Sequence, residues 1–179
     1  MRTELDLVAC DSKSEMQERL RAEPRSLLVG EAAQSPRSFY IVKLPNPKPL
    51  VIGLSLSGLG PTPGVLDSQN GDRLLIGHDQ ALTWVDVSAG SIFRTLTLDG
   101  AFFQFVEPTN KGVIVIHELG ALKVDFDGAV GWAVPTSDVV ESFQIEDGNI
   151  LELHIAGSVV PLRLSLTDGH EVMPKGTGR

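Results

Sequence analysis

The stretch Ala101–Thr136, AFFQFVEPTNKGVIVIHELGALKVDFDGAVGWAVPT, divides into four short apolar runs separated by turn residues. The runs are Phe102–Val106, Val113–His117, Ala121–Phe126 and Val130–Val134. Their length, their Val, Ile and Phe content and the Asn, Gly, Asp and Pro at their ends mark strands, because a helix needs a longer apolar period. Asn110-Lys111-Gly112, Leu119-Gly120 and Asp127-Gly128 supply the short connections a hairpin requires. The stretch therefore predicts one four-stranded antiparallel meander.

Both neighbours are imperfect copies of it. The preceding copy begins near Val65, turns at Asn70-Gly71, and continues through Leu74–His78, Ala81–Asp86 and Ser91–Leu98. The following copy starts at Val139, turns at Asp147-Gly148, and runs through Leu151–Ile155 and Leu162–Leu166 to a turn at Asp168-Gly169. His78, His117 and His154 stand 39 and 37 residues apart, and Asp86 and Asp125, each closing a third strand, stand 39 apart. A recurrence near 40 residues with four strands per unit is the period of propeller blades. On these landmarks residues 65–172 resemble the blades of WD-repeat and quinoprotein-type propellers. The resemblance implies sheets stacked face to face. Three copies fall short of the four to eight blades of a closed ring, so the expected fold is all-β: three four-stranded antiparallel repeats in a partial, propeller-like fan or stacked-sheet array.

The 179 residues suit one domain with one core. Within it, residues 1–64 read as an amino-terminal cap, 65–172 as the repeats and 173–179 as a flexible tail. In the cap, Thr3–Cys10 reads as a strand. Ser12 and Glu15 form a capping box for one short helix with Met16 and Leu20 on its apolar face, stopped by Pro24. Ser26–Gln34 is ambiguous, with Leu27-Leu28-Val29 a short strand and Gly30–Ala33 either a turn or the start of a helix; Ser38–Leu44 and Leu50–Leu56 read as strands, and Pro45–Pro49 and Gly58–Gly64 read as loops.

A formal charge of −8 disfavours phosphate-backbone binding, which rests on clustered Lys and Arg, so no nucleic-acid partner is expected. Cys10 is the single cysteine, which rules out an intramolecular disulfide. No apolar run has membrane-spanning or signal-peptide length, so no membrane partner and a cytoplasmic location are expected.

Tests for chemistry return little. Gly58–Gly64 contains two prolines that remove donors and leads into a strand, so it is a poor phosphate loop. Gly53-Leu54-Ser55-Leu56-Ser57 lacks the closing glycine and the helix of a nucleophile elbow. His117-Glu118 opens like a zinc-protease motif, but Ala121 stands where the second histidine is needed. Asp125–Gly128 lacks the further oxygen ligands of a calcium loop, Thr136 standing at the twelfth position.

His78, His117 and His154 would reach one metal only if equivalent positions converged, whereas packed sheets keep them about 10 Å apart. No catalytic set, metal or cofactor is therefore assigned. His78, His117, His154, Trp84 and Trp132 remain as binding candidates, with strand-end structure for the histidines and core packing for the tryptophans as the competing explanation. Phe103 and Phe105 are expected to share one strand face and Phe102 to take the other.

These features describe a noncatalytic protein–protein interaction module of bacterial type, with a protein partner or a second copy of itself. Its acidity fits an immunity or inhibitor protein that neutralises a basic toxin. The alternative is a small-ligand-binding protein or hydrolase whose pocket is rimmed by the loops in residues 45–64.

Overall fold

A computed structural model describes residues 5–30, 35–45, 49–58, 60–68, 70–109 and 112–173. Fifteen strands and one helix are found there, arranged as four sheets. The first sheet holds β1 (Asp6–Cys10), β2 (Ser26–Val29), β3 (Ser38–Leu44) and β4 (Leu50–Leu56) in the order β1-β3-β4-β2, with β2 parallel to β4. The second is a meander of β5 (Gly64–Asp67), β6 (Arg73–His78), β7 (Ala81–Asp86) and β8 (Ser91–Thr97). The third repeats it with β9 (Phe102–Thr109), β10 (Gly112–His117), β11 (Gly120–Val124) and β12 (Val130–Pro135). The fourth contains β13 (Val140–Glu146), β14 (Ile150–Ile155) and β15 (Leu162–Ser165). The fold is thus all-β with open sheets and a single helix. Residues 1–4, 31–34, 46–48, 110–111 and 174–179, which include the start of the expected first strand, most of the Pro45–Pro49 loop, the first hairpin turn of the central repeat and the tail, lie outside the described residues.

Alternation explains the stack. In β6, Leu74 and Ile76 turn toward the first sheet, where they meet Val29, Val42, Ile52 and Leu54. Leu75 turns the other way, and with Leu82 and Trp84 it packs on Phe102, Val113, Val115 and Val124 of the third sheet. Ile114, Ile116 and Trp132 then meet Leu151, Leu153 and Leu164 of the fourth. Each inner sheet is apolar on both faces, the pattern expected where sheets cover one another on both sides. Helix α1 (Lys13–Arg21) covers the free face of the first sheet with Met16 and Leu20 against Ile41 and Val51. Its cap is the expected one: Ser12 Oγ accepts the Glu15 N–H, and Glu15 accepts the Asp11 N–H at 2.7 Å.

The far end is finished differently. Directly paired residues share a face, so Gln144, Glu146, Glu152, His154 and Arg163 all lie on the outer face of the fourth sheet. Gln144 Nε2 donates to Glu152 at 2.7 Å, His154 Nε2 lies 3.2 Å from the same carboxylate, and Arg163 pairs with both Glu146 and Glu152. A further sheet packed there would have to desolvate this network, a cost of several kcal/mol per ion.

Three details differ from the expectation. A register shift in β9 between the Ile116 and His117 pairings brings Phe102 and Phe105 to the same side, with ring centroids 4.8 Å apart, and leaves Phe103 facing the fourth sheet. Simple alternation fails at a bulge. In the fourth unit the last strand shrinks to one bridge, Leu164 with Glu171, held by Val172 N–H to Arg163 O and Ser165 N–H to His170 O. The amino-terminal 64 residues build a full sheet with its own share of the stacked core.

Adjacent sheets are also clasped by hydrogen bonds to the turn after each unit's third strand. Arg25 donates to Val87 O and Ser88 O, each at 2.9 Å. Trp84 Nε1 donates to Asp125 O at 2.8 Å, and Lys123, 39 residues later, donates to Leu166 O at 3.0 Å. Asp86 and Asp125 shape these turns by accepting backbone N–H groups, from Ala89 and from Asp127 and Ala129 respectively. Backbone donors and Arg73 beside Asp86 hold its carboxyl below the usual range.

Candidate functional site

The turn between the second and third strands carries the same pair of residues in two successive units: His78-Asp79 and His117-Glu118. Both histidines end their strands with the side chain turned toward the preceding sheet, and both are 6% exposed. Each following carboxylate accepts a backbone N–H from the segment that enters the unit: Ser57 N–H to Asp79 at 2.8 Å, Ala101 N–H to Glu118 at 3.2 Å. The carbonyls of these turns bind the segment that leaves the unit. Leu98 N–H reaches Gln80 O and Phe102 N–H reaches Asp79 O; Thr136 N–H reaches Leu119 O and Val140 N–H reaches Glu118 O. Asp79 sits at φ +42°, a left-handed conformation that Asp tolerates in a tight turn.

Each histidine stands at the end of a seam between two sheets, and the two seams differ. Between the first and second sheets an open depression of about 520 Å³ is lined by Val29, Ser57, His78, Thr83, Ile92 and Thr95, among others. The equivalent space between the second and third sheets is about 140 Å³ and is lined by Leu98 and Asp99 with His117, Leu122 and Ala133, among others. Register explains the change in lining: Thr83 pairs with Thr95 as Leu122 pairs with Ala133. Topology explains the change in size. The chain reaches the third sheet from the outermost strand β8, so Leu98-Asp99 crosses the seam. It reaches the second sheet from β4, an interior strand, so among the described residues the wide seam is bordered by the end of β2 and by Ser57.

His78 Nε2 lies 3.1 Å from Thr83 Oγ1, and its Nδ1 has no hydrogen-bond partner; His117 Nδ1 is likewise buried without one. Burial lowers the pKa of both, against an upward pull from Asp79 on His78 and from Asp99 and Glu118 on His117. Burial thus favours the neutral form of both rings. A histidine beside a hydroxyl is the start of a nucleophile–base pair, but Thr83 is 2% exposed and no third group orients the ring. The groove presents one imidazole ring, the Thr95 hydroxyl, an aliphatic wall and an adjoining strand edge.

The other candidates go elsewhere. His154 is not equivalent to His78 and His117. The pair Phe102–His117 recurs as Val140–Ile155, so His154 stands one position short and falls on the opposite face, where it meets Glu152. The three histidines therefore face two different seams and the outer face of the fourth sheet, and no cluster of three His, Cys, Asp or Glu that could hold a metal ion occurs among the described residues. Trp84 is fully buried and serves as an inter-sheet clasp. Trp132 is 9% exposed and lies over Gly169, where a Cβ would come within 2.7 Å of the indole. Of the loops in residues 45–64, Ser57 is the described residue that reaches the groove. Sequence reasoning missed Ile92, Thr83 and Thr95; the signal was present in the two threonines, polar residues at positions that are Leu and Ala one repeat later.

No protein-family model and no curated protein match this chain. Among solved structures, dihydro-heme d1 dehydrogenase NirN in complex with DHE is similar with a TM-score of 0.50 at 15% identity, over 75% of this chain and 32% of that one. BamB from Moraxella catarrhalis gives 0.48 at 16% identity over 97% of this chain and 51% of its own. BBS1N in complex with ARL6DN gives 0.41 at 12% identity over 94% and 56%. The chain spans about a third of the length of the first of these and about half of the other two. The fold is propeller-like. At such identities the likeness concerns the fold, and function has to be argued from the site. No helix among the described residues is long and apolar enough to cross a membrane.

Proposed function

We propose that this chain is a noncatalytic interaction module that holds an extended segment of a partner protein in the groove between its first and second sheets. The observation that carries this reading is the open depression beside β8, an edge strand on which Ile92 and Phe93 remain 39% and 41% exposed. An edge strand offers a row of unpaired N–H and C=O groups, which natural proteins normally blunt with Lys, Pro or a very short strand. β8, SIFRTLT, is seven residues long without Pro; Arg94 and a bulge in its pairing with β7 guard it in part, and Ile92 and Phe93 stay exposed. Strand addition supplies affinity through the backbone and specificity through pockets for alternate side chains. The groove is such a pocket, and about 520 Å³ lies within the range of ligand sites.

A displayed library of random peptides, selected on the full chain and mapped by amide shifts, tests this. Selected peptides should perturb β8 and the groove, and Ile92→Glu should abolish their binding while the fold is retained. Peptides that are insensitive to Ile92→Glu, or a library that yields none, would remove the reading. Light scattering on the same protein should give a monomer. A dimer dissolved by Ile92→Glu would assign the groove to a second copy instead.

A further inference from the structure

The two seams are copies of one design, and only one of them is filled by the chain itself. At the narrow seam the segment after β8 crosses from the second sheet to the third. Leu98, 5% exposed, enters the apolar cluster with Leu82, Phe102 and Leu122, and the carboxylate of Asp99 lies close enough to act on the His117 ring. Thr136 N–H to Leu119 O and Val140 N–H to Glu118 O show the next connector taking the same path toward the fourth sheet. At the wide seam Ser57 N–H makes to Asp79 the bond that Ala101 N–H makes to Glu118, but the chain arrives from the interior strand β4, and among the described residues of that connector Ser57 alone lines the groove. His78, Thr83, Thr95 and Ile92 are left lining the place where a connector would lie.

On the reading that the groove docks a partner segment, we infer that the segment is an extended one carrying an aliphatic residue followed directly by a carboxylate, as Leu98-Asp99 does at the narrow seam. The aliphatic side chain meets Val29 and Ile92, and the carboxylate faces His78, whose own surroundings contribute one acidic neighbour, Asp79, where His117 has two. Thr95, exposed where Ala133 stands at the narrow seam, gives the docked backbone a hydroxyl partner, while the buried Thr83 holds the His78 ring. The partner is not a second folded copy of this chain, since in every copy Leu98-Asp99 is already committed to its own seam.

The test uses the isotopically labelled full chain and a blocked synthetic peptide of residues 95–101, TLTLDGA. Amide shifts should appear at Val29, His78–Thr83 and Ile92–Thr95, and the peptide should raise the pKa of His78 followed by its ring resonances. Replacing the second leucine of the peptide by alanine should weaken binding about tenfold or more, from the lost apolar burial. Replacing its aspartate by asparagine should weaken it about threefold and remove the His78 shift. If library-selected peptides bind the groove while TLTLDGA does not, the Leu-Asp assignment falls and the docking reading stands; if neither binds, both fall. Shifts at His117 with none at His78 would mean that the peptide displaces the chain's own connector, which also overturns the assignment.

Discussion

The seam between the first and second sheets and the seam between the second and third are built from the same turn, the same histidine and the same carboxylate-to-backbone staple. One leaves a space of about 140 Å³ and the other about 520 Å³. The cause is a single topological event: β2 is laid parallel beside β4 at the outer edge, so the strand that leads onward is no longer the outermost one. The lesson is that a repeat array can acquire a cleft without any change in its repeat, by altering the order in which one unit adds its strands. The filled seam then serves as an internal reference for what the open one lacks.

The comparison breaks most severely at the filled seam. Phe102 is 2% exposed and lies against Gly77, where a Cβ would sit 2.2 Å from its ring, and against Gly64. Phe102→Ala should therefore cost about 3–5 kcal/mol in urea unfolding. Ile92→Ala at the open seam should change stability by less than about 1 kcal/mol, because its side chain is already partly in water. Equal effects would mean that the two seams are equally packed. A smaller loss is expected for Trp84→Phe, which keeps most of the apolar volume but leaves Asp125 O without its donor, about 1–2 kcal/mol by the same measurement.

Much of this was legible in the sequence. The turn residues and the 39-residue spacing of His78 and His117 located two sheets, and Ser12 with Glu15 located the helix. Trp84 could be placed in the core, but its clasp on Asp125 O joins residues 41 apart through stacking that no local pattern encodes. The Phe102–Phe105 pairing was hidden because a bulge breaks the two-residue period without any glycine or proline to announce it. His154 was legible despite a spacing from His117 that looks like the repeat: it alternates with Glu152 on what reads as the solvent side, and it lies there. The open seam was invisible because it depends on where β2 pairs, a choice between parallel and antiparallel partners that Leu27-Leu28-Val29 does not announce.

Acid should weaken both seams. The folded-state pKa values of His78 and His117 are lowered, so below the unfolded value near 6.5 the unfolded chain binds more protons than the native one. This contribution to stability is complete above about pH 6.5 and is lost as pH falls toward the depressed native values. Midpoints of urea unfolding between pH 7.5 and 5.5 should fall accordingly. His78→Gln and His117→Gln should each flatten the profile, and a profile that stays steep in the double variant would place the acid sensitivity elsewhere.

The smallest expected change in stability carries the sharpest test of the comparison. Thr83→Leu with Thr95→Ala gives the open seam the lining of the filled one. Three terms are in play: the added leucine gains apolar burial against His78 and Val29, Thr95 loses little because it is exposed, and His78 Nε2 loses its partner at 3.1 Å. The first is worth about 1–2 kcal/mol and the last costs about as much, so the net should stay within about 1 kcal/mol. Binding of any groove-directed peptide should nevertheless disappear, since the exposed Thr95 hydroxyl is lost, the His78 ring is released from Thr83 and the longer leucine crowds the groove. Loss of binding at unchanged stability would show that the two threonines set the difference between seams. Retained binding would move that role to the strand edge of β8 and make the groove lining incidental.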